Sequence, residues 1–191
     1  MREKVASASK LSPRATQARE PSAGPASREI PTFNVGDTLV HPAHGVGSIT
    51  AIEEKLVGSE PCELYVIRVH ATGMRVMVPK AAVDRVGLRK VMSAREADEI
   101  LQILTLPDVA VRSQPWNRRF RAYTEMLASG AAVEIAKVLR DMQRRSAASE
   151  LSFGERRLLD QAKALLIQEL ALAKNRPADE LELEIVSMFA A

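Results

Sequence analysis

The chain has 191 residues, 46% of them hydrophobic and 27% charged, with a formal net charge of +3; that is enough apolar material for one or two small cores. Its single cysteine, Cys62, excludes an internal disulfide framework or a multi-cysteine zinc site and fits a reducing compartment. No apolar run approaches the about 18 residues of a membrane span, and the N-terminus lacks the apolar core of a signal peptide, so a soluble, cytoplasmic protein with no membrane partner is expected.

Residues 1–32 are rich in Ser, Ala, Pro and Arg and nearly free of large apolar side chains. They cannot offset the entropy of ordering, and a disordered basic tail is expected there. From Phe33 the pattern changes. Phe33–Val40, with a turn at Gly36-Asp37, reads as a strand, and Val46–Leu56 follows as a second after the break at Pro42–Gly45. After a turn at Gly58–Pro61, Leu64–His70 and Met74–Val78 are short strands rich in Val, Ile and Met, with Cys62 packed inertly beside them. Four or five short strands before residue 90 predict a small antiparallel barrel of SH3 or Tudor type.

The second half, residues 91–191, reads as about five helices, which makes the chain α+β. Ser93 and Glu96 form a capping box for a helix ended by Pro107. The next helix begins near Pro115, with Ser113 or Gln114 as its cap, and stops near Gly130. A third, Ala131–Arg145, puts Ile135, Val138, Leu139 and Met142 on one side and Lys137, Arg140 and Arg144 on the other, a basic ridge that is either a phosphate track or an ordinary wet face. Ser152 and Glu155 cap a long helix to about Lys174, and Pro177 opens an acidic last one.

The helix near Pro115 sets the only tryptophan, Trp116, among Arg118, Arg119 and Arg121. An aromatic ring beside fixed positive charge, at a helix start whose free N–H groups attract phosphate, suits a nucleic acid. The competing reading is structural: Trp116, Phe120, Tyr123 and Leu127 share a helical face, with Arg118 and Arg121 solvated opposite and Glu125 a partner for Arg121. Periodicity alone favours the second reading. The net charge tallies +4 over residues 113–149, against −1 over 33–112 and −3 over 150–191, so the basic surplus of the folded part lies around Trp116. A net charge this small leaves room for a protein partner that supplies much of the affinity.

Neither a phosphate-binding nor a dinucleotide-binding glycine loop follows a strand, and no nucleophile–base set suggests itself. His41, His44 and His70 would still need a fourth ligand or a water to hold zinc. No cofactor, metal or enzymatic activity is expected.

Phe33-x-Val35-Gly36-Asp37-x-Leu39-Val40-His41-Pro42-x-His44-Gly45, then Met74-Arg75-Val76-Met77-Val78-Pro79, then Trp116-x-Arg118-Arg119-Phe120 together resemble the CarD/CdnL family of bacterial transcription regulators. The first segment also resembles the polymerase-interacting module of transcription-repair coupling factors, whose helicase motors are missing here. The resemblance implies that residues 33–90 dock on the RNA polymerase β subunit, partly by strand-edge contacts, with Lys55, Met77, Val78 and Pro79 at the contact. Some relatives carry arginine at the positions of Lys55 and Met77. It further implies that Trp116 is a wedge in the minor groove at the upstream edge of the melted promoter bubble. Arg118, Arg119 and Arg121 would be its phosphate-side neighbours, with the ridge of Lys137, Arg140 and Arg144 a candidate extension. A monomeric adaptor, drawn to the nucleoid through polymerase, follows.

Overall fold

Strand pairing and helix capping decide where the two predicted halves meet. The structure, a computed structural model, describes residues 31–106 and 115–189. Nearly all of the basic tail lies outside the described residues, as do Pro107, Ser113 and Gln114.

Five strands, β1 (Thr38–His41), β2 (Gly45–Val57), β3 (Glu60–Val69), β4 (Arg75–Pro79) and β5 (Arg89–Lys90), form one antiparallel sheet in the order β4-β3-β2-β1-β5. The expected small antiparallel β domain is present, with β4 and β5 at the two ends of the strand order. The first predicted strand is split, because the Asn34 N–H donates to Asp37 Oδ2 at 2.7 Å and the Asp37 N–H to the Asn34 carbonyl at 3.1 Å, closing a turn before β1. Pairing between β2 and β3 runs out to Val57 and Glu60, past the Pro61 that reads as a strand end, with Gly58 at φ +71° making the hairpin turn. The register shifts between Ile49 and Ala51, a bulge that bends the long β2.

Phe33, Leu39, Ile49, Tyr65, Ile67, Val78, Val83 and Leu88 make one buried cluster. Phe33 and Tyr65 meet edge to face at 6.0 Å, and the Phe33 N–H donates to the Tyr65 hydroxyl at 3.2 Å. Val83 and Leu88 reach this core through a single helical turn, α1 (Val83–Val86), that leads into β5.

Five further helices follow: α2 (Ala94–Thr105), α3 (Trp116–Ala128), α4 (Ala132–Ala148), α5 (Phe153–Lys174) and α6 (Ala178–Ser187). Both capping boxes form, Ser93 with Glu96 and Ser152 with Glu155. Pro115 is the residue before α3 rather than its first, since its ψ of 145° is extended. The broad apolar band of α5 is buried at Leu158, Leu159, Ala162, Leu165, Leu166 and Leu170 because α2, α3, α4 and α6 all lie against it.

α5 also packs on β2, so one helix of the bundle meets the sheet. Here glycine is required. A Cβ on Gly130, the turn between α3 and α4, would lie 2.6 Å from Pro42 Cβ, and the residue sits at φ +67°. Gly130→Ala should therefore cost more than about 1 kcal/mol, which a thermal melt followed by circular dichroism would show as a lower midpoint.

Candidate functional site

Two surfaces carry the residues singled out by sequence. The first is the free edge of the sheet. Along β4 alternation turns Val78 inward, 3% exposed in the core, while Met77 is 49% exposed. The side chain of Val78 is therefore unavailable to a partner, and this residue offers only backbone at the edge. Pro79 is half-buried at the strand end. Lys55 Nζ donates to Met77 Sδ at 3.3 Å and lies 3.0 Å from Glu53 Oε2, whose other oxygen accepts from Arg75 Nη2 at 3.2 Å. The hydrogen bond and charge of Lys55, with Arg75 behind them, hold the Glu53 carboxyl below its ordinary pKa. Glu53 and Arg75 are thus part of this surface, although neither stands out in the sequence. The signal available was their strand alternation with Lys55 and Met77.

The second surface is built where α3 starts. Trp116 is partly buried against the helical core, Phe120 lies 5.5 Å from it between ring centres, and Tyr123 and Leu127 complete the buried side of the same face. The first turn of α5 backs the indole. A Cβ on Gly154 would lie 3.3 Å from Trp116 Cζ2 and 3.6 Å from Phe120 Cε2, so glycine is what lets the helix approach. Next to it Phe153 is 82% exposed, a large ring left in water at the first position of α5. Arg157 is exposed one turn further along the same face. Sequence reading missed Phe153; the clue was an aromatic at a fixed helix start, outside the helix's own apolar stripe.

The arginines divide. Arg119 carries its guanidinium 5.6 Å from the Trp116 ring centre, with a buried Nε that has no hydrogen-bond partner among the described residues. Arg118 and Arg121 are exposed, and the expected Arg121–Glu125 pair is absent from the ion pairs of the described residues. The basic ridge on α4 does not exist as one solvated face. Arg140 is 7% exposed and paired with Asp141 at 2.9 Å, because the bundle covers that side of α4 as well. Arg144 donates to the Thr105 and Leu106 carbonyls at 3.2 and 2.5 Å, satisfying the end of α2, and stacks on Phe189. Lys137 is half-buried and bonded to Glu134 at 2.6 Å. Arg140 and Arg144 thus serve the fold, while the Lys137 side chain keeps 41% of its exposure.

His41 and His44 stack at 4.6 Å in the β1–β2 turn, while His70 bonds Ser48 Oγ at 2.8 Å. Burial and then the charge of His44 lower the His41 pKa, which favours the neutral ring. Among the described residues no group of three or more His, Cys, Asp or Glu is placed to hold a metal, and no helix is long and apolar enough to cross a membrane.

Two family models match the chain, "CarD-like/TRCF RID domain" over residues 33–92 and "CarD, C-terminal domain" over residues 99–186. A Bacillus subtilis (strain 168) protein, YdeB, described as a candidate transcription factor, is 34% identical over 142 residues, which are 74% of this chain and 92% of that protein. The chain belongs to the CarD/CdnL family. A solved structure titled CdnLNt from Myxoccoccus xanthus is 38% identical over 36% of this chain and 96% of its own, with a TM-score of 0.29. Membership of CarD/CdnL makes the protein a transcription regulator.

In this CarD/CdnL chain the mount of Trp116 depends on ionisation. Burial pushes the Glu155 carboxyl up, but bonds from the Ser152 hydroxyl and N–H and its pairing with Arg145 outweigh that and leave its pKa lowered. On acidification the unfolded chain takes up this proton first, so the stabilisation is complete above the ordinary carboxylate range and is lost as pH falls through it. Glu155→Gln should therefore melt lower than wild type near neutral pH, with the gap closing in acid, as thermal melts across a pH series would record.

Proposed function

We propose that this CarD/CdnL protein docks on the RNA polymerase β subunit through the β4 edge and stabilises the open promoter complex with an aromatic wedge. The carrying observation is the Trp116 platform: a partly exposed indole held against Gly154, with the exposed cations Arg118 and Arg121 on the same helix, and with Phe153, the residue before Gly154, in water. An apolar wedge in the minor groove gains by contacting a partly unstacked step and reads no unique base code. Because it meets the opened duplex better than the closed one, it shifts that equilibrium. A preference of about 1.4 kcal/mol corresponds to about tenfold.

Docking is supported by a free strand edge in which Met77 points outward and Lys55, Glu53 and Arg75 form a charged rim. Backbone addition to such an edge gives affinity, and the alternate side chains give specificity. Tethering raises the effective concentration of DNA, so weak intrinsic DNA affinity suffices and naked promoter fragments should bind poorly. Arg118, Arg119 and Arg121 then face phosphate, while Arg140 and Arg144 take no part, being committed to Asp141 and to the end of α2.

The packing of Trp116 on the helical core favours a second reading, a protein-only adaptor in which the indole is structural. One experiment separates them. Trp116→Ala should leave polymerase binding intact and shorten open-complex lifetime by about tenfold or less, on the arithmetic above. An unchanged lifetime, or a loss traced entirely to unfolding while Arg118→Glu/Arg121→Glu has no effect, would favour the adaptor.

A further inference from the structure

Glu169 is completely buried, at 0% exposure, in the C-terminal part of α5, where the inward side chains around it, Leu165, Leu166 and Leu170, are aliphatic. An isolated carboxylate there would be costly, so its partners matter. Arg89 of β5 meets it with both terminal nitrogens: Nη1 on Oε1, and Nη2 on Oε2 at 2.8 Å. The Met92 N–H, just ahead of α2, donates to Oε1 at 3.0 Å. The same guanidinium donates through Nε and Nη2 to the Gly130 carbonyl, at 3.3 and 3.2 Å.

Four separate parts of the chain therefore converge on one ion pair: the last strand of the sheet, the start of the helical half, the turn that ends α3, and α5. The two halves also pack closely nearby, most tightly at Gly130. Pro42 would be met by a Cβ on Gly130 at 2.6 Å and on Gly87 at 3.2 Å, and Gly45 lies against Ala164 and Leu165 of α5. The sheet edge β4 connects to this joint through continuous strand pairing, and α3 connects Gly130 to Trp116.

We infer that Arg89 and Glu169 are positioning residues, a clamp that fixes the distance and angle between the polymerase-docking edge and the Trp116 wedge; this rests on the reading given under Proposed function. Docking alone delivers the wedge only to a volume set by the tether. A rigid joint delivers it to one place, and small misplacements of a reacting or recognising group are expensive. The planar fork of arginine suits this task, because it spans two carboxylate oxygens and a third acceptor at once, which an ammonium does not.

Spin labels at Ala81→Cys and Gln161→Cys, both exposed, in a Cys62→Ser background would report the spacing of the two halves in the full chain. Wild type should give one narrow distance distribution. Arg89→Lys keeps the charge but loses the fork. It should broaden the distribution and reduce the gain in open-complex lifetime about fivefold, within the range for mutations that act on coupling, at unchanged polymerase affinity. Arg89→Met/Glu169→Leu replaces the pair by apolar groups and should recover thermal stability without recovering the narrow distribution or the lifetime. Wild-type width in both variants, or a broadened distribution with full lifetime, would overturn the inference. If wild type itself does not lengthen open-complex lifetime, the wedge reading fails instead, and the clamp stands or falls on the widths alone.

Discussion

A carboxylate with no access to water governs the architecture of this protein. Glu169 lies in the C-terminal part of α5, the helix that packs on β2 as well as on the other helices, and is tolerated only because Arg89 and the Met92 N–H come to it. Removing one partner of such a pair leaves a buried charge, at a cost of about 3–5 kcal/mol, which is a large part of the marginal stability of a small protein. The sheet and the helical half are therefore bound by a directional contact as well as an apolar one.

Charge is used differently at the two ends. At the sheet edge, Lys55, Glu53 and Arg75 form an exposed network beside Met77, suited to orienting a partner rather than to binding it tightly. Among the described residues around Trp116 the cations that remain available are few. Arg119 lies over the indole, Arg118, Arg121 and Arg157 reach solvent, and the arginines of α4 are taken up by Asp141, by Glu155 and by the carbonyls that end α2. A surface with so few free cations is poorly equipped to hold DNA by electrostatics alone. The aromatic pair Trp116 and Phe120, with the exposed ring of Phe153 on the neighbouring helix, is the distinctive chemistry at that end.

Much of the fold was legible along the chain, and the reasons are local. Ser93 with Glu96 and Ser152 with Glu155 announce helix starts because capping involves groups three residues apart. The leucines of α5 mark a helix buried on several sides because their spacing leaves little polar face. The strands after Phe33 were visible from alternation, although pairing carried β2 and β3 through Pro61 and the charged residues near it, since a hairpin turn at Gly58 keeps its ladder going regardless of composition. The motif around Trp116 was also plain.

What the linear order did not reveal was the fate of each side chain once a second element lay against it. Arg140 and Arg144 have the spacing of a wet ridge, yet α4 is covered on that side, so they became internal partners. Val78 shares a motif with Met77 but turns into the core. Phe153 looks like one more apolar residue and proves to be in water, while Gly154 gains meaning only because the indole lies against it. Arg89 and Glu169 are 80 residues apart. By itself the amino-acid order determined the helices, most of the strands, and which residues belong to the Trp116 motif, because those depend on neighbours within a turn or a hairpin. Tertiary structure alone decided which cations are free, which aromatics are exposed, and how the two halves are joined, because burial and ion pairing depend on whichever distant segment arrives to exclude the water.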